Sequence, residues 1–216
     1  MNDGGANNWL DRLAHDLRGP LAPLQTATYL LQREDLDPAR RTELLAMLER
    51  QAQRLARMLD ELDDWRRIDR GNLLGTRQDS ELALLLDHAL VASGLAGTPV
   101  DDDGSAACVR VDAQRMTQVL RTLLDYSLAR DGMAPALSLR RDVGRSRLEL
   151  ALAGPAPADA EAATLFGQPQ ADPFDEGLGL RLPLAREIVR AHGGELSASV
   201  AGGRLVLRCE LPLVRD

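Results

Sequence analysis

Two helical stripes open the chain. Leu10, Leu13, Leu17, Leu21, Leu24 and Leu31 recur mostly at three- or four-residue steps, the spacing of one helix face, and predict a first helix over residues 8–33. Inside that stripe stand Gly19, Pro20 and Pro23, which local propensity places outside helices. "EDLDP" follows, where Asp37 can cap and Pro38 can fill the first turn of a second helix. There Leu44, Leu48, Gln51, Leu55, Met58, Leu62 and Trp65 are separated alternately by four and three residues, the coiled-coil period. Arg40, Glu43, Glu49, Arg50, Arg54, Arg57, Asp60 and Glu61 lie between them and predict a solvated face. Thirty residues at about 1.5 Å each make a rod roughly 45 Å long. Two such rods cannot enclose a core alone, so a homodimer forming a four-helix bundle is the natural way to bury both stripes.

After "RIDRGNLLG" the pattern changes. Gly71 and Gly75 punctuate a linker, and helical and alternating segments then mix. A helix is predicted over Asp79–Ser93, then an acidic loop through Gly104, then a short strand in "ACVRV". Asp112 is positioned to cap the amphipathic helix "AQRMTQVLRTLLDYSLAR". "ALSLRRD" and "SRLELALA" alternate with period two and predict a hairpin. Residues 154–176, rich in Pro and Ala, show no period. "GLGLRLPLAREIVRAHGG" predicts another helix, and "ELSASVAGGRLVLRCEL" a closing hairpin around Gly202–Gly203. Helices on one face of a mixed sheet make this second part an α/β sandwich.

Composition narrows the classes. At 216 residues the chain can form one large domain or two small ones, and with 3% aromatics the cores must be built from Leu, Ala and Val. A net charge of -7 argues against nucleic-acid and anionic-membrane partners, whose phosphates it would repel. There is no apolar run of about 18 residues, and "MNDGGANNWL" lacks the basic start and apolar stretch of a secretory signal, so a cytoplasmic location is expected. Cys108 and Cys209 have no metal-ligand spacing; they are predicted to be buried free thiols, and no metal site is expected.

The heptad frame locates one candidate for chemistry. With Leu10 at position a, His15 falls at f, farthest from the seam, and Asp16 at g. His15 should therefore project into solvent beside a carboxylate. Pro20 and Pro23 lack an N–H, so the Asp16 and Gly19 carbonyls lose their helical partners, which predicts a bend just beyond His15. His88 is expected at a core boundary, and His192 at a helix C-terminus, where positive charge is favourable.

"HDLRGPL" resembles the phosphoacceptor box of sensor histidine kinases, the proteins of two-component signalling. The order of the later segments resembles the ATP-binding domain of the same family. The resemblance implies an α+β protein in two parts. Residues 1–70 would be a dimerisation and histidine-phosphotransfer hairpin, forming a four-helix bundle in a dimer. Residues 76–216 would be a histidine-kinase-like (Bergerat-type) α/β sandwich. It implies that His15 accepts a phosphoryl group and that Asp16 orients the imidazole and takes up its proton. It also implies a receiver-domain partner and, as a further candidate, an upstream hybrid kinase. Where members with phosphatase activity often carry Thr or Asn, this chain has Gly19, so weak or absent phosphatase activity is expected.

The nucleotide half departs from the family pattern. "GLGL", with Gly177 and Gly179, matches the glycine box, but Thr122 and Tyr126 stand where two asparagines hold metal and phosphates. In "LALAGPAPA", Leu152 stands at the aspartate that selects adenine, with Gly154 after it and Ala156 at the second glycine. Three readings follow. The first is a phosphohistidine phosphotransferase that needs no cofactor. The second is an ATP-dependent autokinase using Mg-ATP through altered contacts. The third is a non-catalytic pseudokinase that serves as an interaction module. The missing asparagines and aspartate weigh against the second, and the intact "HDLRGP" against the third.

Overall fold

A computed structural model describes residues 3–33, 35–103, 107–142 and 144–214, with side chains described from residue 13 onward. The chain divides into two compact units, residues 1–63 with 176–178, and residues 64–175 with 179–216.

The first unit is built on α1 (Asp3–Leu31) and the greater part of α2 (Pro38–Asp69). α1 is helical without interruption through Gly19, Pro20 and Pro23. The heptad frame shows why proline is tolerated. Pro20 and Ala27 occupy the d positions that follow Leu13, and both are buried, whereas Leu13, Leu17 and Leu24 are half-buried. Pro20 therefore supplies apolar bulk to the seam, which offsets the hydrogen bond its ring removes. Leu10 lies outside the described side chains. On α2 every seam position from Leu44 to Trp65 is buried or half-buried, Leu44 and Met58 completely. One residue assigned to the solvated face is misplaced: Glu61 is 5% exposed, and its Oε2 accepts the Leu178 N–H at 3.2 Å inside the same unit. Heptad position could not report a partner 117 residues away.

The second unit has a five-stranded sheet in the order β2-β4-β5-β7-β6, formed by β2 (Val100–Asp102), β4 (Ala136–Asp142), β5 (Arg145–Ala151), β6 (Glu195–Ala201) and β7 (Arg204–Pro212). β2 runs parallel to β4, and the other pairings are antiparallel. One face carries the core. Leu148 and Leu150 of β5 and Leu205, Leu207 and Cys209 of β7 pack with α3 (Leu82–Ala92), α4 (Ala113–Asp131) and α6 (Arg181–Ala191). Alternate residues form a charged ladder on the other face. Arg147 sits opposite Glu210 and Glu149 opposite Arg208, with Nε–O distances of 2.8 and 2.7 Å. This inside–outside alternation is what the period-two pattern predicted. The β6–β7 hairpin closes through Gly202 (φ 56°) and Gly203 (φ 74°), the left-handed pair that a two-residue turn between twisted strands requires.

Several local expectations yield to distant pairing. The helix predicted over Asp79–Ser93 is split, because Gln78–Glu81 forms β1, paired antiparallel with β3 (Cys108–Val111), and α3 begins at Leu82. Asp-Ser-Glu looks like a helix start, yet a strand about 30 residues away captures its backbone. The expected acidic loop contains β2, which adds to the sheet edge beside β4, and the Asp101 carboxylate pairs with Arg140. Gly104, where that loop was to end, lies outside the described residues. The aperiodic stretch contains a short helix, α5 (Asp159–Thr164), anchored by buried Ala162. His88 is exposed on α3 rather than at the core boundary. Cys108 is exposed as well, while Cys209 is fully buried, which pushes its thiol up to about 12.

His192 is held by its hydrogen bonds, not by charge. It is 4% exposed; its Nε2 accepts the Asp112 N–H at 2.9 Å, and Nδ1 lies 2.8 Å from the Ile188 carbonyl. That pattern requires a neutral ring with the proton on Nδ1. Asp112 in turn caps α4, its carboxylate accepting from the Arg115 N–H at 3.1 Å and the Gly75 N–H at 2.7 Å. Burial holds the His192 imidazole below the ordinary value of 6.5, against the Ile188 bond, which favours the proton, and with the help of the nearby Arg77 charge. The unfolded chain then takes up a proton, as pH falls below about 6.5, that the folded chain refuses. This residue's contribution is complete above 6.5 and declines below it, by up to about 1.4 kcal/mol per pH unit. We expect the urea midpoint of the second unit to fall between pH 7.5 and 5.5, and to lose most of that slope in His192→Gln. Burial alone would raise the Asp112 carboxyl, but the amides of Arg115, Gly75 and Gln114 outweigh it and hold it below 3.8. Asp112 therefore adds no slope in this window.

Candidate functional site

The first candidate site is one turn of α1. The His15 side chain is 86% exposed, and its Nδ1 lies 3.2 Å from Asp16 Oδ1, with Asp16 30% exposed. The heptad frame placed both groups there, because position f faces away from the seam. With the proton on Nδ1 and directed at Asp16, the Nε2 lone pair is left for nucleophilic attack from solvent. Among the described residues nothing hydrogen-bonds to Nε2. A Cβ at Gly19 would meet nothing within 4 Å, so glycine is not sterically required there.

The second candidate region lies in the second unit and holds Thr122, Tyr126, Leu152, Gly154 and Gly179, each engaged by its own chain. Thr122 and Tyr126 lie one turn apart on α4, 2% and 7% exposed. The Thr122 hydroxyl donates to the Gln118 carbonyl at 2.9 Å and accepts from Arg181 Nη2 at 3.4 Å. The Tyr126 ring meets Phe174 edge-on, with centroids 5.6 Å apart and planes at 81°. Leu152 is fully buried, and its amide donates to the Leu205 carbonyl at 2.9 Å. The Gly154 N–H donates to Asp131 Oδ2 at 2.8 Å, and a Cβ there would come within 2.4 Å of the same carboxylate. Glycine at 154 is thus needed to let Asp131 approach. Gly177 is buried. Gly179 has φ +75°, and its carbonyl accepts the Gln170 N–H at 3.0 Å; a Cβ would lie 2.4 Å from the Gln170 carbonyl oxygen.

Sequence reasoning missed the residues that tie this region together. Arg181, the first residue of α6, donates to Asp125 Oδ2 at 2.9 Å and Asp175 Oδ2 at 3.2 Å. Its guanidinium lies 5.0 Å from the centroid of the Phe174 ring. Asp125 also accepts from Ser93 Oγ at 2.8 Å. No local pattern could have joined Arg181 to partners 56 and 59 positions away. The available hint was Asp125 standing between Thr122 and Tyr126 on a helix. Among the described residues no group of three or more His, Cys, Asp or Glu side chains could hold a metal ion. No described helix is long and apolar enough to cross a membrane.

Residues 6–71 match the family described as His Kinase A (phospho-acceptor) domain. Sensor protein KdpD of Mycobacterium tuberculosis (strain CDC 1551 / Oshkosh) is 30% identical over 226 aligned residues, covering 96% of this chain and 26% of KdpD. Sensor protein DivL of Caulobacter vibrioides is 28% identical, covering 95% of this chain and 28% of DivL. The chain thus spans about a quarter of the length of these curated relatives. Among solved structures, the Acinetobacter baumannii histidine kinase AdeS superposes with a TM-score of 0.67 at 19% identity, covering 93% of this chain and 98% of that one. The histidine kinase ThkA, solved in complex with the response regulator protein TrrA, gives a TM-score of 0.71 at 19% identity, covering 95% of this chain and 61% of that one.

Proposed function

Since this chain belongs to the sensor histidine kinase family, we propose that it works as a phosphohistidine phosphotransferase that draws its phosphoryl group from another protein and not from ATP. The observation that carries this reading is the contrast between an exposed His15–Asp16 pair and Leu152, fully buried where the family pattern has an adenine-binding aspartate. Thr122 and Tyr126 add to it, since both are spent on contacts within the chain. A hard cation needs oxygen ligands with free lone pairs, and a phenol ring packed on a phenylalanine is a poor substitute for a carboxamide. The residues present therefore do not fit a magnesium nucleotide.

In the proposed reaction Nε2 of His15 attacks the phosphorus of an aspartyl phosphate in a receiver domain. The N–P bond forms as the O–P bond breaks, and the receiver carboxylate leaves with the electron pair. Asp16 holds the Nδ1 proton and stabilises the positive charge that develops on the ring. Reversal passes the group to a second receiver. An upstream hybrid kinase is one source of such an aspartyl phosphate. ThkA, the structural relative solved with a response regulator, supports a partner of this kind by analogy.

The working form is a homodimer. Leu45, Ala52 and Leu59 are spaced by seven on α2 and exposed; Leu45 and Leu59 are 54% and 58% exposed in the single chain, as are Leu21 and Tyr29 of α1 at 42% and 71%. This second stripe lies outside the intrachain seam, and a second hairpin would remove it from water. Gly19 offers no side chain to position a hydrolytic water, so release of inorganic phosphate from a phosphorylated receiver is expected not to exceed its spontaneous rate.

Two labelling assays test the proposal. The purified chain is given a ³²P-labelled receiver aspartyl phosphate, and separately labelled ATP with magnesium. Label on His15 from the receiver alone is the expected result. Label from ATP would establish the autokinase instead, and none from either source, over a panel of receivers, would leave an interaction module. Mg-ATP is expected to leave the melting temperature unchanged, whereas a ligand at 100 times its Kd would add about 2.7 kcal/mol.

A further inference from the structure

We propose that residues 165–175 form a strap latched shut by this chain's own Arg181, with the Phe174 ring held as a permanent internal occupant against α4. The claim that this occupant fills the former nucleotide region rests on the reading above; the latch itself rests on geometry alone. The strap contains Gly167, Pro169 and Pro173 and no helix or strand, so no backbone ladder holds it in place. Its order must come from side chains together with isolated backbone hydrogen bonds such as Gln170 N–H to the Gly179 carbonyl. The chain has only two phenylalanines and two tyrosines, and one of each meets here, Phe174 edge-on to Tyr126. Arg181 covers the Phe174 ring and spreads its two terminal nitrogens between Asp175 on the strap and Asp125 on α4.

A guanidinium is suited to this position because one planar group can stack on a ring while its edge donates to two carboxylates. The carboxylates are 12% and 27% exposed and the arginine 24%, so water screens the cluster less than it would a surface pair. Ser93 fixes the second oxygen of Asp125, and Gly179 anchors the strap a second time by accepting the Gln170 N–H. Glycine at 179 permits that approach, since any Cβ would strike the Gln170 backbone.

The strap should therefore be closed with no ligand present, and hydrogen–deuterium exchange read by mass spectrometry tests this on the full chain. Without nucleotide, peptides covering 165–175 are expected to exchange at least about tenfold more slowly than an unstructured segment, with the Gln170 amide the slowest. Phe174→Leu and Arg181→Gln are each expected to raise strap exchange about tenfold while peptides from β5 and β7 keep their protection. Arg181→Lys keeps the charge without the fork and should fall between, and the double variant should exceed neither single one. A strap that exchanges freely in the wild type, or one that neither variant changes, overturns the latch. If a variant loses protection in β5 and β7, it has unfolded, and Arg181→Lys then decides: unaltered strap exchange in that variant overturns the proposal. Adding Mg-ATP to the wild type separates the two ideas. A change in strap exchange would overturn the ATP-independent reading and leave the latch, measured beforehand, intact.

Discussion

Replacing Leu152 with aspartate is expected to unfold the second unit instead of restoring a nucleotide site. Leu152 is completely buried, its amide is hydrogen-bonded to Leu205, and its side chain belongs to the core shared by β5, β7 and the helices. Removing a buried leucine costs about 2–5 kcal/mol through lost transfer energy and the cavity left behind. An unpaired carboxylate in the same place adds several kcal/mol more, or is forced to stay protonated. The sum is comparable to the roughly 5–15 kcal/mol that holds a domain folded. Circular dichroism and the urea midpoint check this, with Leu152→Met as the volume-conserving control, expected to cost less than about 1.5 kcal/mol. A folded Leu152→Asp protein that gained ATP binding would show that the pocket is intact and had merely lost one ligand.

The opposite profile is expected at His15. Its side chain is 86% exposed and makes its described contact with a neighbour in sequence, so His15→Ala should change the urea midpoint by no more than about 0.5 kcal/mol. All transfer from a labelled receiver should nevertheless disappear, because in the proposed reaction Nε2 is the atom that forms the new bond. Asp16→Asn keeps size and helix position but cannot hold an imidazolium, and a loss of about 10²-fold in transfer rate is expected. Quench-flow transfer rates and thermal melts on the same preparations make the comparison. If Asp16→Asn transferred at the wild-type rate, the 3.2 Å contact would be incidental to the chemistry.

The two substitutions also divide what could be read from the sequence from what could not. His15 was legible because a helix repeats every 3.6 residues, so a seam of leucines sets the direction of every other side chain on the same rod. The same rule gave the α2 seam, and period two gave the inner and outer faces of β4, β5 and β7. It failed where a partner from far along the chain intervened. β1 lies in a segment that reads as a helix start, but its backbone is taken by β3. β2 reads as an acidic loop until it finds the edge of β4. Glu61 sits between solvated residues yet receives an amide 117 positions away. His192 was placed correctly at a helix end, but its reason for being there, a neutral ring pinning the α4 cap, depends on burial that no local window records.

By itself the sequence determined the two helical rods, the exposed His15–Asp16 pair, the alternating strands and which residues stand at positions 122, 126 and 152. Each of these is a matter of residue identity or of spacing along one element. Only the tertiary structure decided what surrounds those positions: Leu152 sealed into the core, Asp131 on Gly154, and Arg181 joining Thr122, Asp125, Phe174 and Asp175. Ion pairs and ring contacts depend on distance in space, and folding brings together side chains that the chain itself keeps more than fifty residues apart.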